Sequence, residues 1–253
     1  MLDLEQLRLC EIEYYRSFTD VVSTSYGLLF FNVSNPLSYD SNHALILRQE
    51  RALPRAIDDI IRFYRDKRLV PRIYSSYQPG ELERLRPVLE DKGFLIEESP
   101  ERLYFWQGEP QVEVTRALKV RRARELDASI IELINSDGEA PWTVGVLRRH
   151  LISPSFHLFV GYVNDTPVAM ASLTPLGPWT ALQDVMTHQG HRGKGYARTL
   201  LYQVLAHYRR TSRDPLYLFA SNPSAIHIYE QLGFVEHEDS PPVWSAYVPK
   251  SNL

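Results

Sequence analysis

Glycines at 190, 193 and 195 stand among Arg192, Lys194 and Arg198 in the stretch HQGHRGKGYARTLLYQVLAHYRR, residues 188–210. Glycine lacks a Cβ, so the main chain around it can approach an extended group closely and take dihedrals that other residues avoid. Beyond the glycines, Ala197, Leu200, Leu201, Val204, Leu205 and Tyr208 recur at the spacing of one helix face. Arg209 and Arg210 fall in the last turn and Pro215 lies just past it, which predicts a helix starting close to Gly193 or Gly195. A helix start leaves four N–H groups without intrahelical partners and carries about half a positive charge. Close-approach glycines, cationic side chains and unmatched amides together describe a pyrophosphate cradle.

Spacing narrows the kind of cradle. A Walker A loop needs Gly-x4-Gly-Lys-Ser/Thr, but Tyr196 and Ala197 follow Gly195. A dinucleotide fingerprint needs a third glycine where Arg198 stands. What remains is Arg192-x-x-Gly195-x-Ala197, preceded by the strand-like DVMTH, residues 184–188, and followed by YLFASNPSAIHIYEQLGF, residues 217–234. In that second segment Asn222 suits an N-cap, Pro223 the first helical position and Gly233 the residue just past the helix. Tyr229 shares an apolar face with Ala225, Ile226 and Leu232, a pattern that by itself describes a core aromatic.

The elements that must hold these residues repeat along the chain. Residues 88–105 and 228–247 both read as a helix end, a Gly-Phe pair and an acidic strand. Upstream of them, VPRIYSSY (70–77) and PLYLFASN (215–222) are both β-rich, each follows a helix, and a strand precedes each helix in turn, HALIL at His43 and TALQDVMT at Thr180. Residues 26–47 add two strands around a polar turn. The order strand, helix, strand, helix, strand thus occurs twice, and the Gly- and Pro-containing QGEPQVEV, residues 107–114, predicts a boundary near residue 111.

The loop and its surroundings resemble the Gln/Arg-x-x-Gly-x-Gly/Ala signature of the GNAT superfamily of acyl-CoA-dependent N-acyltransferases, over roughly residues 114–248. The resemblance implies an α/β (α+β) fold of two GNAT-like units in tandem, each a mixed, mostly antiparallel twisted sheet flanked by helices. Residues 1–110 would be a degenerate unit, since its matching segment RQERALPRAIDD (48–59) has no glycine, and residues 111–253 the catalytic unit. It further implies acetyl-CoA as co-substrate. The main chain of Val185, Met186 and Thr187 would pair with the pantetheine arm and supply a donor to the thioester oxygen. Arg192, Gly193, Lys194, Gly195, Tyr196, Ala197 and Arg198 would hold the pyrophosphate, and Asn222 would contact the coenzyme as well as cap its helix. Tyr229 matches the family's general acid, which protonates the departing thiolate; an ordinary phenol is protonated at neutral pH and suits that task.

Deprotonation of the amine has several candidates, Asp184, Glu139, His188 and His191, as well as a water chain or a neutral amine that needs no base. Of these Asp184 is carried forward as the candidate base. Trp142 and Glu139 fall where the family's first helices and their loop cover the acceptor. His188-x-x-His191 lacks a third ligand at a metal-binding spacing, so no metal is expected. The implied reaction moves an acetyl group to a primary amine of a small molecule or peptide by direct attack in a ternary complex; the alternative is a non-catalytic acyl-CoA-binding sensor on the same fold.

Bulk properties bound the rest. A formal net charge of -3 over 253 residues, without a basic, aromatic-studded stripe, argues against a nucleic-acid partner. No apolar run approaches the roughly 20 residues that span a bilayer, so no membrane partner is expected. The acidic, helical start is unlike a signal peptide and, with the single Cys10, suggests a cytoplasmic protein, monomer or homodimer.

Overall fold

The computed structural model describes residues 2–48, 53–108, 117–136, 138 and 141–249. Residue 111, the expected boundary, and Glu139 lie outside the described residues. The chain divides into two compact units, Met1–Glu101 with Pro241–Leu253, and Arg102–Ser240.

In chain order the first unit contains α1 (Leu4–Arg16), β1 (Asp20–Ser23), β2 (Gly27–Phe31), β3 (His43–Ile46), α2 (Leu53–Asp66), β4 (Arg72–Tyr74), α3 (Glu81–Asp91) and β5 (Leu95–Ser99). The second holds β6 (Arg102–Trp106), β7 (Lys119–Ala123), α4 (Ala128–Ile134), α5 (Thr143–His150), β8 (His157–Val163), β9 (Thr166–Leu176) and β10 (Trp179–Thr187). It continues through α6 (Tyr196–Thr211), β11 (Leu216–Ala220), α7 (Pro223–Gln231) and β12 (Phe234–Glu236), after which β13 (Val243–Tyr247) returns to the first unit.

Local sequence explains the helices. Asp3 caps α1 by accepting the Gln6 N–H at 2.9 Å, and Asp127 caps α4 by accepting the Ile130 N–H at 2.9 Å. In α2 the side chains of Ala56, Ile57, Ile60 and Tyr64 fall on one face and bury against Leu29, Ala44, Ile46 and Ile73 of the sheet. In α6 the predicted stripe of Leu200, Leu201, Val204, Leu205 and Tyr208 buries against Val168, Ala171, Leu182 and Leu218. Each of these helices crosses between two parallel strands, β3 to β4 and β10 to β11, as a crossover connection requires.

The first sheet runs β1-β2-β3-β4-β13-β5 and the second β12-β6-β11-β10-β9-β8-β7. Apart from the two parallel pairs, every registered pair in both sheets is antiparallel. The chain is thus two GNAT-like units in tandem, each with a mixed sheet and flanking helices.

The units differ from a single linear cut between residues 110 and 111. The slot between β4 and β5 is filled by β13, and the corresponding slot between β11 and β12 by β6. Each repeat ends in a strand that completes the other repeat's sheet. Backbone donors and acceptors explain why those strands cannot be detached: β13 is registered on both edges, with β4 and with β5, and so is β6, with β11 and β12. Among the described residues no helix is long and apolar enough to cross a membrane.

Candidate active site

The cradle loop is a 3-10 turn, Gln189–His191, then Arg192 in extended backbone, then α6 from Tyr196. Gly193 and Gly195 have φ of 72° and 81°, the left-handed region that costs a residue with a Cβ roughly 1–2 kcal/mol. At Gly193 a Cβ would meet nothing within 4 Å, so the dihedral alone demands glycine there and the space in front of it is open. Gly195, the N-cap of α6, has no side chain to cap it, and the Thr199 N–H, bonded to Gly195 O at 3.1 Å, opens the helical ladder. The amides of residues 195–198 precede that bond.

Side chains fix the loop from both ends. The Arg192 Nε–H donates to Thr187 O at 3.2 Å and Lys194 Nζ to Gly190 O at 2.8 Å. The Nε of Arg198 is buried without a hydrogen-bond partner among the described residues. Amides outside the ladder, exposed Gly193 and Gly195 and an orphaned guanidinium donor form the donor set that a pyrophosphate requires, so the residues fit the group.

Before the loop, β10 breaks its ladder with β9. Pairing runs through Gln183↔Ser172 and resumes at Met186↔Met170, so Asp184 and Val185 stand opposite Ala171 alone, a β-bulge. Asp184 takes a φ of 53° there. The fully buried Ser172 donates its hydroxyl to Asp184 Oδ2 at 2.5 Å, fixing the carboxylate on the bulge. On the other edge β10 registers with β11 only at Thr180↔Leu216 and Ala181↔Tyr217. Beyond these pairs β11 continues along β6, and the two parallel strands have no further registered pair among the described residues. An extended ligand can enter between strands that part in this way.

The bulge also divides two cores. Val185 and Tyr196 pack against the cluster that holds Tyr229, Leu232 and Phe234, whereas Met186 packs against the cluster that holds Leu133 and Leu147. The bulged strand, the first turn of α6 and the tyrosine of α7 therefore share one cluster. Asn222 caps α7, its Oδ1 accepting the N–H groups of Ser224 at 2.9 Å and Ala225 at 3.3 Å.

Tyr229 is 8% exposed, with Phe234 edge-on at 5.9 Å between ring centroids. Among the described residues no hydrogen bond to its hydroxyl is found, and burial alone pushes its pKa up to about 12. The phenol is held in its neutral, proton-donating form.

The histidines differ in role. His188 accepts the Gly190 N–H at Nδ1, 3.1 Å, which makes it the cap of the 3-10 turn. His191 lies beside it, ring centroids 5.4 Å apart. Burial, then Lys194 and His188, lower its pKa from the ordinary imidazole value. Trp142 is half-buried at the start of α5. Ser172, which holds Asp184, carries no sequence signal, being one of several small residues along an apolar strand. Among the described residues no three His, Cys, Asp or Glu side chains gather as a metal site.

The comparisons with known proteins agree with this geometry. Residues 128–234 match the model of the acetyltransferase (GNAT) family. The spermidine N(1)-acetyltransferase of Vibrio cholerae serotype O1 is 43% identical over 49 residues, 18% of this chain and 28% of that protein's length. Among solved structures, a GCN5-related N-acetyltransferase from Kribbella flavida is similar over 100% of this chain and 98% of its own, at a TM-score of 0.70 and 17% identity. A tandem GNAT protein from the clavulanic acid biosynthesis pathway is similar over 82% of this chain and 75% of its own, at a TM-score of 0.55 and 14% identity. At such identities these structures share the fold. From α4 to the first residue of β12, the bulged strand, the glycine loop and the capped helix with its tyrosine form a domain of the acetyltransferase (GNAT) family.

Proposed function

We propose that the protein is an N-acetyltransferase of the cytoplasm whose second unit transfers an acetyl group from acetyl-CoA to a primary amine of a small molecule or peptide. The reading rests on one observation: a loop with left-handed Gly193 and Gly195 presents the unmatched amides of α6 next to the bulged β10. An anion with an extended, thioester-bearing arm suits that pairing of a cradle with an opened strand edge.

Acetyl-CoA supplies an activated acyl thioester when bound. Residues 192–198 and the Arg198 guanidinium hold its pyrophosphate, and the main chain of Val185, Met186 and Thr187 aligns the pantetheine arm. A backbone N–H of that same strand donates to the thioester oxygen as negative charge develops there, a donor fixed before the reaction begins. Asp184, oriented by Ser172, takes a proton from the ammonium so that the nitrogen lone pair can attack. Tyr229 gives its phenolic proton to the departing sulfur and regains one from the nitrogen, which sheds its second proton as the amide forms. Trp142 at the start of α5 borders the acceptor. The first unit has no glycine in residues 48–59, so one coenzyme is bound per chain.

The test is thiol release from acetyl-CoA over pooled polyamines, amino acids, aminoglycosides and peptides, with coenzyme A binding measured calorimetrically on the same sample. Amine-dependent release above hydrolysis supports transfer. Binding of coenzyme A without release from any pool would leave a binding protein, and no binding would remove the cradle.

A further inference from the structure

β9, β10 and β11 contain no charged residue other than Asp184. Its neighbours decide which face of the sheet that carboxylate serves, since successive strand residues point to opposite faces. Leu182, Leu218, Ala220 and Tyr104 share the cluster that holds Leu200 and Leu201 of α6, whereas Met170 belongs to the cluster that holds Leu133 of α4 and Leu147 of α5. Gln183, Phe219 and Phe105 therefore turn away from α6. Ser172, two residues after Met170, turns the same way, and the Asp184 carboxylate follows it, because Oδ2 accepts the Ser172 hydroxyl at 2.5 Å.

Aromatic rings line that face up to the point where β10 and β11 part. Trp179 of β10 meets Phe105 of β6 at 5.3 Å and Tyr217 of β11 at 5.7 Å between ring centroids, and Phe219 stands edge-on to Tyr217 at 6.4 Å. The last registered pair of the two parallel strands is Ala181↔Tyr217. Gln183 and Phe219, two residues further along each strand, thus flank the opening, with Asp184 one step beyond. Asp184, Gln183, Phe219, Phe105 and Trp179 are all half-buried, so each keeps a surface that a ligand can touch.

The charge of a fitting ligand follows. The one charged residue of β6, Arg102, pairs with Ala220 and lies on the α6 face, so the strands from β9 to β6 supply no cation beside Asp184. His150 at the end of α5 is buried, its pKa lowered to about 4, and adds no positive charge at neutral pH. An ammonium is matched by the Asp184 carboxylate. A carboxylate carried next to that ammonium would lie against Asp184 with no strand cation to oppose it. A second ammonium further along would exchange water for rings, which return only part of its hydration. An aromatic arm leaves water at a gain and packs on rings edge to face.

We propose that the acceptor of the acetyl group is an arylalkyl monoamine, its ammonium on the Asp184 carboxylate and its ring on Phe219, the first aromatic beyond the last strand pair. This names a substrate class for the acetyl-transfer site and rests on that reading of it. The nitrogen bonds the acetyl carbon as the carbon–sulfur bond breaks, its protons passing to Asp184 and Tyr229. Phe219 sorts amines by the arm they carry and moves no proton itself.

The full-length protein, saturated with coenzyme A, is titrated calorimetrically with 2-phenylethylammonium chloride. Parallel titrations use ethylammonium, which lacks the ring, phenylalanine, which adds a carboxylate, and 1,4-butanediammonium, which exchanges the ring for a second charge. 2-Phenylethylammonium is expected to bind at least tenfold more tightly than each of the three. In Phe219→Leu, which keeps apolar volume and loses the ring, its Kd should rise about fivefold, while that of ethylammonium stays within twofold. Coenzyme A affinity checks that the variant is folded; should Phe219→Leu fail that check, Phe219→Met replaces it with the same expectation. Equal binding of any of the three, no binding of 2-phenylethylammonium, or a Kd untouched by loss of the ring would each overturn the proposal. Thiol release from acetyl-CoA is read with the same four amines. Release with one of the others and none with 2-phenylethylamine would overturn the substrate class and leave acetyl transfer standing, whereas ring-selective binding without release from any amine would overturn the transfer and keep the selectivity.

Discussion

Replacing Tyr229 with phenylalanine separates chemistry from stability. The hydroxyl makes no hydrogen bond among the described residues, and burial raises its pKa from 10.0 to about 12. A rise of that size disfavours the phenolate by about 3 kcal/mol. The phenol therefore stays protonated throughout the neutral range, and the group lost in Tyr229→Phe is a proton donor. Because the ring and its packing on Phe234 remain and no protein hydrogen bond is broken, stability should change by no more than about 0.5 kcal/mol. Coenzyme A affinity should hold as well. A positioned general acid contributes typically about 10²–10⁴ in rate, so kcat for thiol release should fall by about that factor. The assay pairs steady-state thiol release with thermal unfolding of the same preparation. A kcat within threefold of the parent protein would refute the assignment, and a loss of several degrees in Tm would refute the account of an unpartnered hydroxyl.

Other expectations are narrower. Gly195→Ala forces a Cβ into a φ of 81°, and the roughly 1–2 kcal/mol this costs should appear as a coenzyme A Kd raised about five- to thirtyfold; an unchanged Kd by calorimetry would contradict the cradle. Asn222→Ala removes the cap of α7 and should cost about 1 kcal/mol in denaturant unfolding. Asn222→Ser restores the cap, so coenzyme A binding that stays weak in the serine variant would mark a direct contact, and full recovery would mark a cap alone. Burial lowers the His43 pKa from 6.5 to about 3, so below pH 6.5 the unfolded chain binds more protons than the folded one. Stability should accordingly be intact above that pH and fall as pH drops toward 3, with a slope approaching about 1.4 kcal/mol per pH unit. Denaturant unfolding at stepped pH should show that slope flattened in His43→Phe, and an identical slope would locate the acid sensitivity elsewhere.

The parts of the site that were legible in the sequence are those set by local rules. Glycine where φ is positive, Asn222 followed by Pro223 at a helix start, and the apolar stripe of α6 are dictated by dihedrals, capping and periodicity, and each stands where expected. The bulge was not legible, because Asp184 takes its φ of 53° without a glycine to signal it and is held by Ser172 from the neighbouring strand. Strand exchange was hidden for a related reason. The repeat of helix, Gly-Phe and strand identifies β6 and β13 as equivalents, but which sheet a strand completes depends on ladders to residues more than a hundred positions away, such as Tyr217↔Phe105 and Ser245↔Tyr74. The ring cluster around His43 assembles from α1, β2, β3 and β4, and no spacing rule links those side chains.

Thiol release from acetyl-CoA by the full-length protein, with and without the pooled amines, tests the central claim most directly. Acetyl transfer by the second unit predicts release that depends on the amine, saturates with it, and is accompanied by stoichiometric binding of one coenzyme A per chain. Release no faster than hydrolysis with every pool, on a sample that also fails to bind coenzyme A, would contradict it.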